Sequence, residues 1–390
     1  MFASSGPEIL EMKILQLAPP WEAVPPPAYG GTEAVVHLLT EGLVSTGHDV
    51  TLVACGESET DARHVAVHPA PLRSDEDIED RRPYELVHVA EALKEAGEGY
   101  DVIHNHAGDV AVALSGLVDA PMVTTLHGLI PPDWQEAWKR YTGYYTTVSE
   151  NLHRCLMEQA QGTYLGHVYN AIDVESYPFS GEKEDQVLFL SRICEDKAPH
   201  LAIEAAQRAG VGIVVAGKVD PNPEDEKYFA EVVQPLLDAP DVTWFGEADA
   251  AQKRELFRQA RAVLFPIQWE EPFGLVPVEA MACGTPTIAF RRGAMPEVIE
   301  DGVSGLLVDD LEGMVHALER VDEISPSACR RYAAERFDAP VMVRGYEDVY
   351  LRLLKMEGQR VADAADQAVR SRSLSAEQEL NEMSLDESLE

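Results

Sequence analysis

Glu270-Glu271-Pro272-Phe273-Gly274-Leu275-Val276-Pro277-Val278-Glu279-Ala280-Met281-Ala282-Cys283-Gly284-Thr285-Pro286 is the stretch whose reading decides the fold. It comes just after an apolar run, Ala262 to Pro266, that has the length and composition of a buried strand. Pro272 and Gly274 mark a turn, and a helix then runs to the Gly284-Thr285-Pro286 stop signal. A strand, a tight turn and a helix N-terminus form an anion site, because free N–H groups and the helix dipole point into the turn. Glu271 and Glu279 are then left over, and carboxylates of this kind accept hydrogen bonds from neutral hydroxyls such as those of a sugar or ribose.

Working outward, the motif belongs to a second series of alternating strands and helices. Val187–Leu190 reads as a strand followed by a turn with basic residues, Ser191-Arg192-Ile193-Cys194-Glu195-Asp196-Lys197. A helix is expected over 200–209, a strand over 212–216, a helix over 224–238, a strand over 242–245 and a helix near 250–260. Strands at 287–290 and 305–308 close this sheet. Helix 311–320 and a C-terminal helical segment, 336–357, are expected to complete its core.

A first series precedes it. Ile14–Leu17 is a strand, 19–29 a long loop, and Ala28-Tyr29-Gly30-Gly31-Thr32-Glu33 leads into a helix patterned by Ala34, Val35, Leu38, Leu39 and Leu43. Val50–Ala54 is the next strand, which makes a βαβ unit. The first turn lacks the GxGxxG spacing of a dinucleotide site; Gly30 and Gly31 mark either a plain loop or a place where backbone comes close to a ligand. Residues 72–98 are charged and helical in pattern. Strands follow at 101–104, 121–126 and 144–148, with Ser149 placed as a helix cap. His104 and His106 look like a metal pair by their spacing, but no further ligands lie nearby in sequence, so packing or hydroxyl binding is the expected role. His127, at a strand end before Gly128, stands where open α/β sheets put ligand contacts.

The resulting fold class is α/β, with two Rossmann-like domains facing a cleft. The expected divisions are an extension over 1–11, domains over 12–180 and 181–335, the helical segment 336–357, and an acidic flexible tail over 358–390. The chain of 390 residues carries a formal charge of −37, which disfavours nucleic acid and anionic membranes as partners. A surface this acidic keeps a protein soluble and is also found on halophile proteins. The five cysteines are widely spaced without a CxxC pair, which points to a reducing cytoplasm and away from a structural zinc. No run approaches the roughly 20 apolar residues of a membrane span, so no stable membrane insertion is expected.

With two βα domains and a carboxylate–phosphate motif in the second, the chain resembles the GT-B glycosyltransferases, and within them retaining family 4, the "glycosyl transferases group 1" type. The resemblance covers roughly 12–355 and is carried most specifically by the E-x7-E element from Glu271 to Glu279. Support comes from Arg192 and Lys197 in SRICEDK, Gly30-Gly31 in AYGGTE, His127 in TTLHG, Ser149 in TTVSE, and Asn170 with Asp173 in NAID. Pro272 stands where glycine is common, and NAID where NGVD is commoner. The resemblance implies that Glu279 holds the nucleotide ribose, Arg192 and Lys197 the diphosphate, and Glu271 with the amides of Phe273, Gly274 and Leu275 the donor sugar and adjacent phosphate. Gly31 would approach the diphosphate from the other domain, with His127 facing the donor sugar near its C6 hydroxyl. It implies a nucleoside diphosphate sugar as co-substrate, of UDP-glucose or GDP-mannose type, no cofactor and no metal, and a small-molecule, glycan or lipid acceptor. A glycosidase pair is disfavoured, since hydrolysis has no use for the basic residues. A sugar-nucleotide epimerase and a non-catalytic sugar-nucleotide-binding protein are the alternatives.

Overall fold

The computed structural model describes residues 11–27, 30–97 and 99–360. Nearly all of the expected extension over 1–11, Ala28 and Tyr29 of the AYGGTE stretch, and the expected tail beyond residue 360 lie outside the described residues.

Two parallel sheets organise the chain. The first has seven strands in the order β3-β2-β1-β4-β5-β6-β7: β1 Lys13–Leu17, β2 Asp49–Ala54, β3 Arg63–Ala66, β4 Val102–Asn105, β5 Met122–Leu126, β6 Tyr144–Thr147 and β7 Thr163–His167. The second has six, β10-β9-β8-β11-β12-β13: β8 Val187–Leu190, β9 Ile213–Ala216, β10 Val242–Gly246, β11 Val263–Phe265, β12 Thr287–Phe290 and β13 Gly305–Val308. Strands buried on both faces read as continuous apolar runs, as Val187–Leu190 and Val263–Phe265 do. Both sheets reverse their winding beside the first strand of the series, between β1 and β4 and between β8 and β11. Ligands of such sheets bind at the carboxyl ends of the strands flanking that reversal. Those ends carry the Gly30-Gly31 loop after β1, the Arg192–Lys197 loop after β8 and the Glu271 motif after β11.

The sequence pattern missed two strands. β3 (RHVA) and β7 (TYLGH) are short, partly exposed edge strands without an apolar run. The C-terminal segment corrects a second expectation. Residues 339–360 form a helix that packs on the first sheet and does not complete the second core. Met342, Val343, Tyr346, Val349, Tyr350 and Leu353 recur at helical spacing and share a buried cluster with Ile14, Leu39, Val102 and Val123. The chain thus returns to its first domain, crossing beside the Ile172–Asp338 bridge.

Candidate functional site

A cleft of about 690 Å³ lies between the two sheets. Gly30, Gly31, His127, Arg192, Lys197, Glu271, Phe273, Gly274, Leu275 and Glu279 all line it, so the residues expected to bind the donor come to one place. Asn170 and Asp173 join them.

The motif loop is held from below. Gly274 has φ +89° and caps the helix Leu275–Ala282; a Cβ there would stand 2.7 Å from Met295 Cε. At Gly293 (φ +59°) a Cβ would lie 2.3 Å from the Glu271 amide nitrogen, so the Glu271 backbone rests directly on a glycine. Ala294 donates its N–H to the Glu271 carbonyl at 2.9 Å. Opposite, the helix Gly31–Ser45 starts at the cleft, and a Cβ on Gly31 would sit 3.4 Å from Leu275 Cδ1. Two helix N-termini, one from each domain, therefore converge, and both favour negative charge between them.

The Lys197 ammonium is ion-paired to the Glu271 carboxylate, both side chains being about nine-tenths buried. Trp269 Nε1 donates to the same Glu271 oxygen at 2.8 Å, and Lys197 Nζ lies 5.0 Å from the Trp269 ring centre. The short helix Glu195–Lys197 ends at the next residue, Ala198. Ala198 is buried with φ +51°, the only non-glycine residue in the left-handed region among the described residues, a conformation that costs about 1 kcal/mol or more. Arg192 Nη1 reaches Asp220 at 3.2 Å. Glu279, buried one helical turn below, accepts from Tyr177 Oη at 2.8 Å and from Lys253 Nζ at 2.6 Å.

Sequence reasoning overlooked Tyr177, Lys218, Lys253, Arg254 and Trp269, all of which line the cleft. Lys253 and Arg254 sit on a helix, Ala250–Gln259, whose charged sequence reads as an ordinary solvated surface. Tyr177 is in the linker, over 100 residues from Glu279, so only the folded chain joins them.

The other wall is neutral. His127 follows β5, with its Nε2 2.9 Å from His106 Nδ1. Burial pulls the His127 imidazole down to about 4 and those of His104 and His106 well below the ordinary histidine value. His104 and His106 bond to side chains of the core, as packing histidines do. Among the described residues no group of three or more His, Cys, Asp or Glu converges to hold a metal ion. Ser149 caps its helix as expected, accepting from the Leu152 amide at 3.0 Å, and donates to the Pro272 carbonyl at 2.6 Å, which ties the two domains together beside the motif.

Two family models match end to end. "Glycosyltransferase Family 4" covers residues 29–176 and "Glycosyl transferases group 1" residues 176–336. The chain is a family 4 glycosyltransferase with the GT-B fold. This glycosyltransferase is 25% identical over 413 residues to a glycogen synthase of Mycobacterium tuberculosis, covering 89% of this chain and 96% of that one. It is 30% identical over 283 residues to a D-inositol 3-phosphate glycosyltransferase of Mycolicibacterium smegmatis, covering 63% and 65%. Among solved structures, AviGT4, a glycosyltransferase involved in avilamycin A biosynthesis, superposes with a TM-score of 0.67 at 24% identity, over 88% of this chain and 98% of that one. Anabaena Alr3699/HepE in complex with UDP and glucose superposes with a TM-score of 0.65 at 20% identity, over 86% and 98%. These structural likenesses establish the fold. Among the described residues no helix is long and apolar enough to cross a membrane.

Proposed function

We propose that this glycosyltransferase moves a hexose from a nucleoside diphosphate sugar to an acceptor hydroxyl with retention of anomeric configuration. One observation carries the reading: in a chain of charge −37, five cations, Arg192, Lys197, Lys218, Lys253 and Arg254, line a single cleft. Local positive charge against an opposing global field suits a ligand with concentrated negative charge, such as a diphosphate. The carboxylates beside it suit the hydroxyls of ribose and hexose.

Glu279 then holds the ribose, while Arg192, Lys197 and the two helix N-termini hold the diphosphate. Glu271 and the amides of Phe273, Gly274 and Leu275 grip the donor sugar, with His127 beside one of its hydroxyls. The bond from sugar C1 to the β-phosphate oxygen breaks as the acceptor oxygen approaches C1 from the same face. The departing phosphate takes the acceptor proton, and the fixed positive groups stabilise its charge. Domain closure about the linker excludes water, which suppresses donor hydrolysis. In this reading the fixed cations do the work of a divalent ion, so none is required.

UDP-glucose is the first donor to test, supported by the UDP and glucose in the similar Alr3699/HepE structure; GDP-mannose is the second. A small molecule or glycan is the preferred acceptor class, since the acidic surface disfavours an anionic lipid bilayer. Five unpaired thiols fit a reducing cytoplasm. The test is a transfer assay with UDP-glucose and GDP-mannose against an acceptor panel, with NMR of the product anomeric linkage. An α-linked product formed in the presence of EDTA is expected from these α-donors. A β-linked product, or activity abolished by EDTA, contradicts the mechanism.

A further inference from the structure

The polar groups buried beneath His127 form a continuous chain that ends on the C-terminal helix. Gln16 Nε2 donates to Tyr350 Oη at 3.0 Å, and Gln16 Oε1 lies 3.1 Å from His106 Nε2. His106 Nδ1 lies 2.9 Å from His127 Nε2. In a second branch, His104 Nδ1 is 2.7 Å from Tyr350 Oη, and His104 Nε2 is 2.6 Å from Thr125 Oγ1. Thr125 donates in turn to Tyr346 Oη at 3.3 Å. Gln16, Thr125, His104, Tyr346 and Tyr350 are buried, as is His106.

The inventory of donors and acceptors fixes every proton in this chain. Thr125 gives its proton to Tyr346, so it accepts from His104 Nε2–H. Neutral His104 then has a bare Nδ1, which accepts from the Tyr350 hydroxyl. With its proton committed there, Tyr350 can only accept from Gln16, and this holds the carboxamide with its NH₂ toward Tyr350 and its oxygen toward His106. A carbonyl oxygen only accepts, so His106 carries its proton on Nε2 and accepts at Nδ1. His127 must therefore donate from Nε2. Its Nδ1, which has no hydrogen-bond partner among the described residues, is left as a bare acceptor. The depressed basicity of all three imidazoles supports the neutral forms this bookkeeping needs.

We infer that Tyr350, acting through Gln16 and His106, is a positioning residue that fixes His127 as the tautomer protonated on Nε2. His127 lines the cleft, and its buried Nδ1 is then left as an acceptor, so a ligand hydroxyl that reaches this atom has to donate to it. The last step rests on the reading of His127 as a donor-sugar contact; the tautomer itself does not. Without the Tyr350 hydroxyl nothing selects between the two faces of the Gln16 carboxamide. Turning it over would present NH₂ to His106 and reverse the chain, moving the His127 proton to Nδ1.

The experiment is ¹⁵N NMR of the histidine-labelled protein, with the His127 signals assigned by their loss in His127→Ala. The wild type is expected to show a protonated Nε2 and an unprotonated Nδ1. In Tyr350→Phe the two His127 nitrogen shifts should move toward each other as both tautomers populate. Tyr141→Phe is the control: it removes a buried hydroxyl that bonds to the Tyr144 carbonyl and takes no part in this chain, and should leave His127 unchanged. In transfer assays Tyr350→Phe should lower kcat roughly fivefold, the worth of one misplaced hydrogen bond, with donor KM unchanged. A wild-type proton on Nδ1, an unaltered His127 in Tyr350→Phe, or an equal change in Tyr141→Phe would overturn the inference. If the tautomers behave as stated but His127→Ala transfers at the wild-type rate, the sugar-contact reading falls and the tautomer assignment stands.

Discussion

The two walls of the cleft share a topology and differ in chemistry. Each sheet reverses its winding beside its first strand and offers the same strand ends to the cleft. The second domain fills those ends with charge: Arg192, Lys197, Lys253, Glu271 and Glu279, tied into pairs. The first fills them with Gly30, Gly31, Thr32 and a neutral imidazole. A shared fold decides where a ligand lies, and loop residues decide what it is. One wall suits a doubly charged leaving group, the other neutral hydroxyls.

The sharpest way to break this contrast is at the buried ion pair. Replacing Lys197 with Met removes a cation from the charged wall and leaves the Glu271 carboxylate buried with only Trp269. Transfer is expected to fall roughly a hundredfold or more, and stability by about 3 kcal/mol, measured by initial rates and by urea unfolding. Arg192→Ala separates the two effects, because Arg192 is more exposed. Its transfer rate should fall roughly tenfold or more while the unfolding midpoint stays put. Equal loss of stability in both variants would mean the pair is structural and would remove the charge argument.

On the neutral wall, the test is the carboxyl it hides. Glu33, in the first turn of the helix Gly31–Ser45, is buried, and desolvation pushes it up to about 7. A folded value above the unfolded one of about 4.5 gives stability that is fully present below pH 4.5 and lost as pH rises through 7. Glu33→Gln should abolish that loss, so the variant gains on the order of 2 kcal/mol relative to wild type between pH 5 and 8. Urea midpoints across that range check this; parallel profiles for the two proteins would contradict it. The smallest effect is expected at Tyr177→Phe, which removes one of the two contacts to Glu279 Oε1 and should weaken nucleotide binding roughly fivefold.

Much of this was legible in the sequence because it is local. β8, β11 and the motif helix announce themselves by apolar runs, Gly274 and the stop at Gly284, and E-x7-E sets both carboxylates in one segment. What was illegible depends on distant pairing. Residues 339–360 carry a helical stripe, but periodicity says only that a face is buried, not which sheet buries it. Tyr177, Lys253 and Glu279 meet only after folding, and an amphipathic charged helix hides a ligand-facing lysine among solvent-facing ones. β3 and β7 were missed because edge strands need no apolar run.

The central claim is that the charged wall is a nucleoside diphosphate site. Titration calorimetry of UDP and GDP into the wild-type protein and Arg192→Ala tests it most directly. One nucleotide is expected to bind the wild type at one site per chain, with affinity lowered at least tenfold in the variant. Binding of neither nucleotide, or equal binding by both proteins, would contradict it.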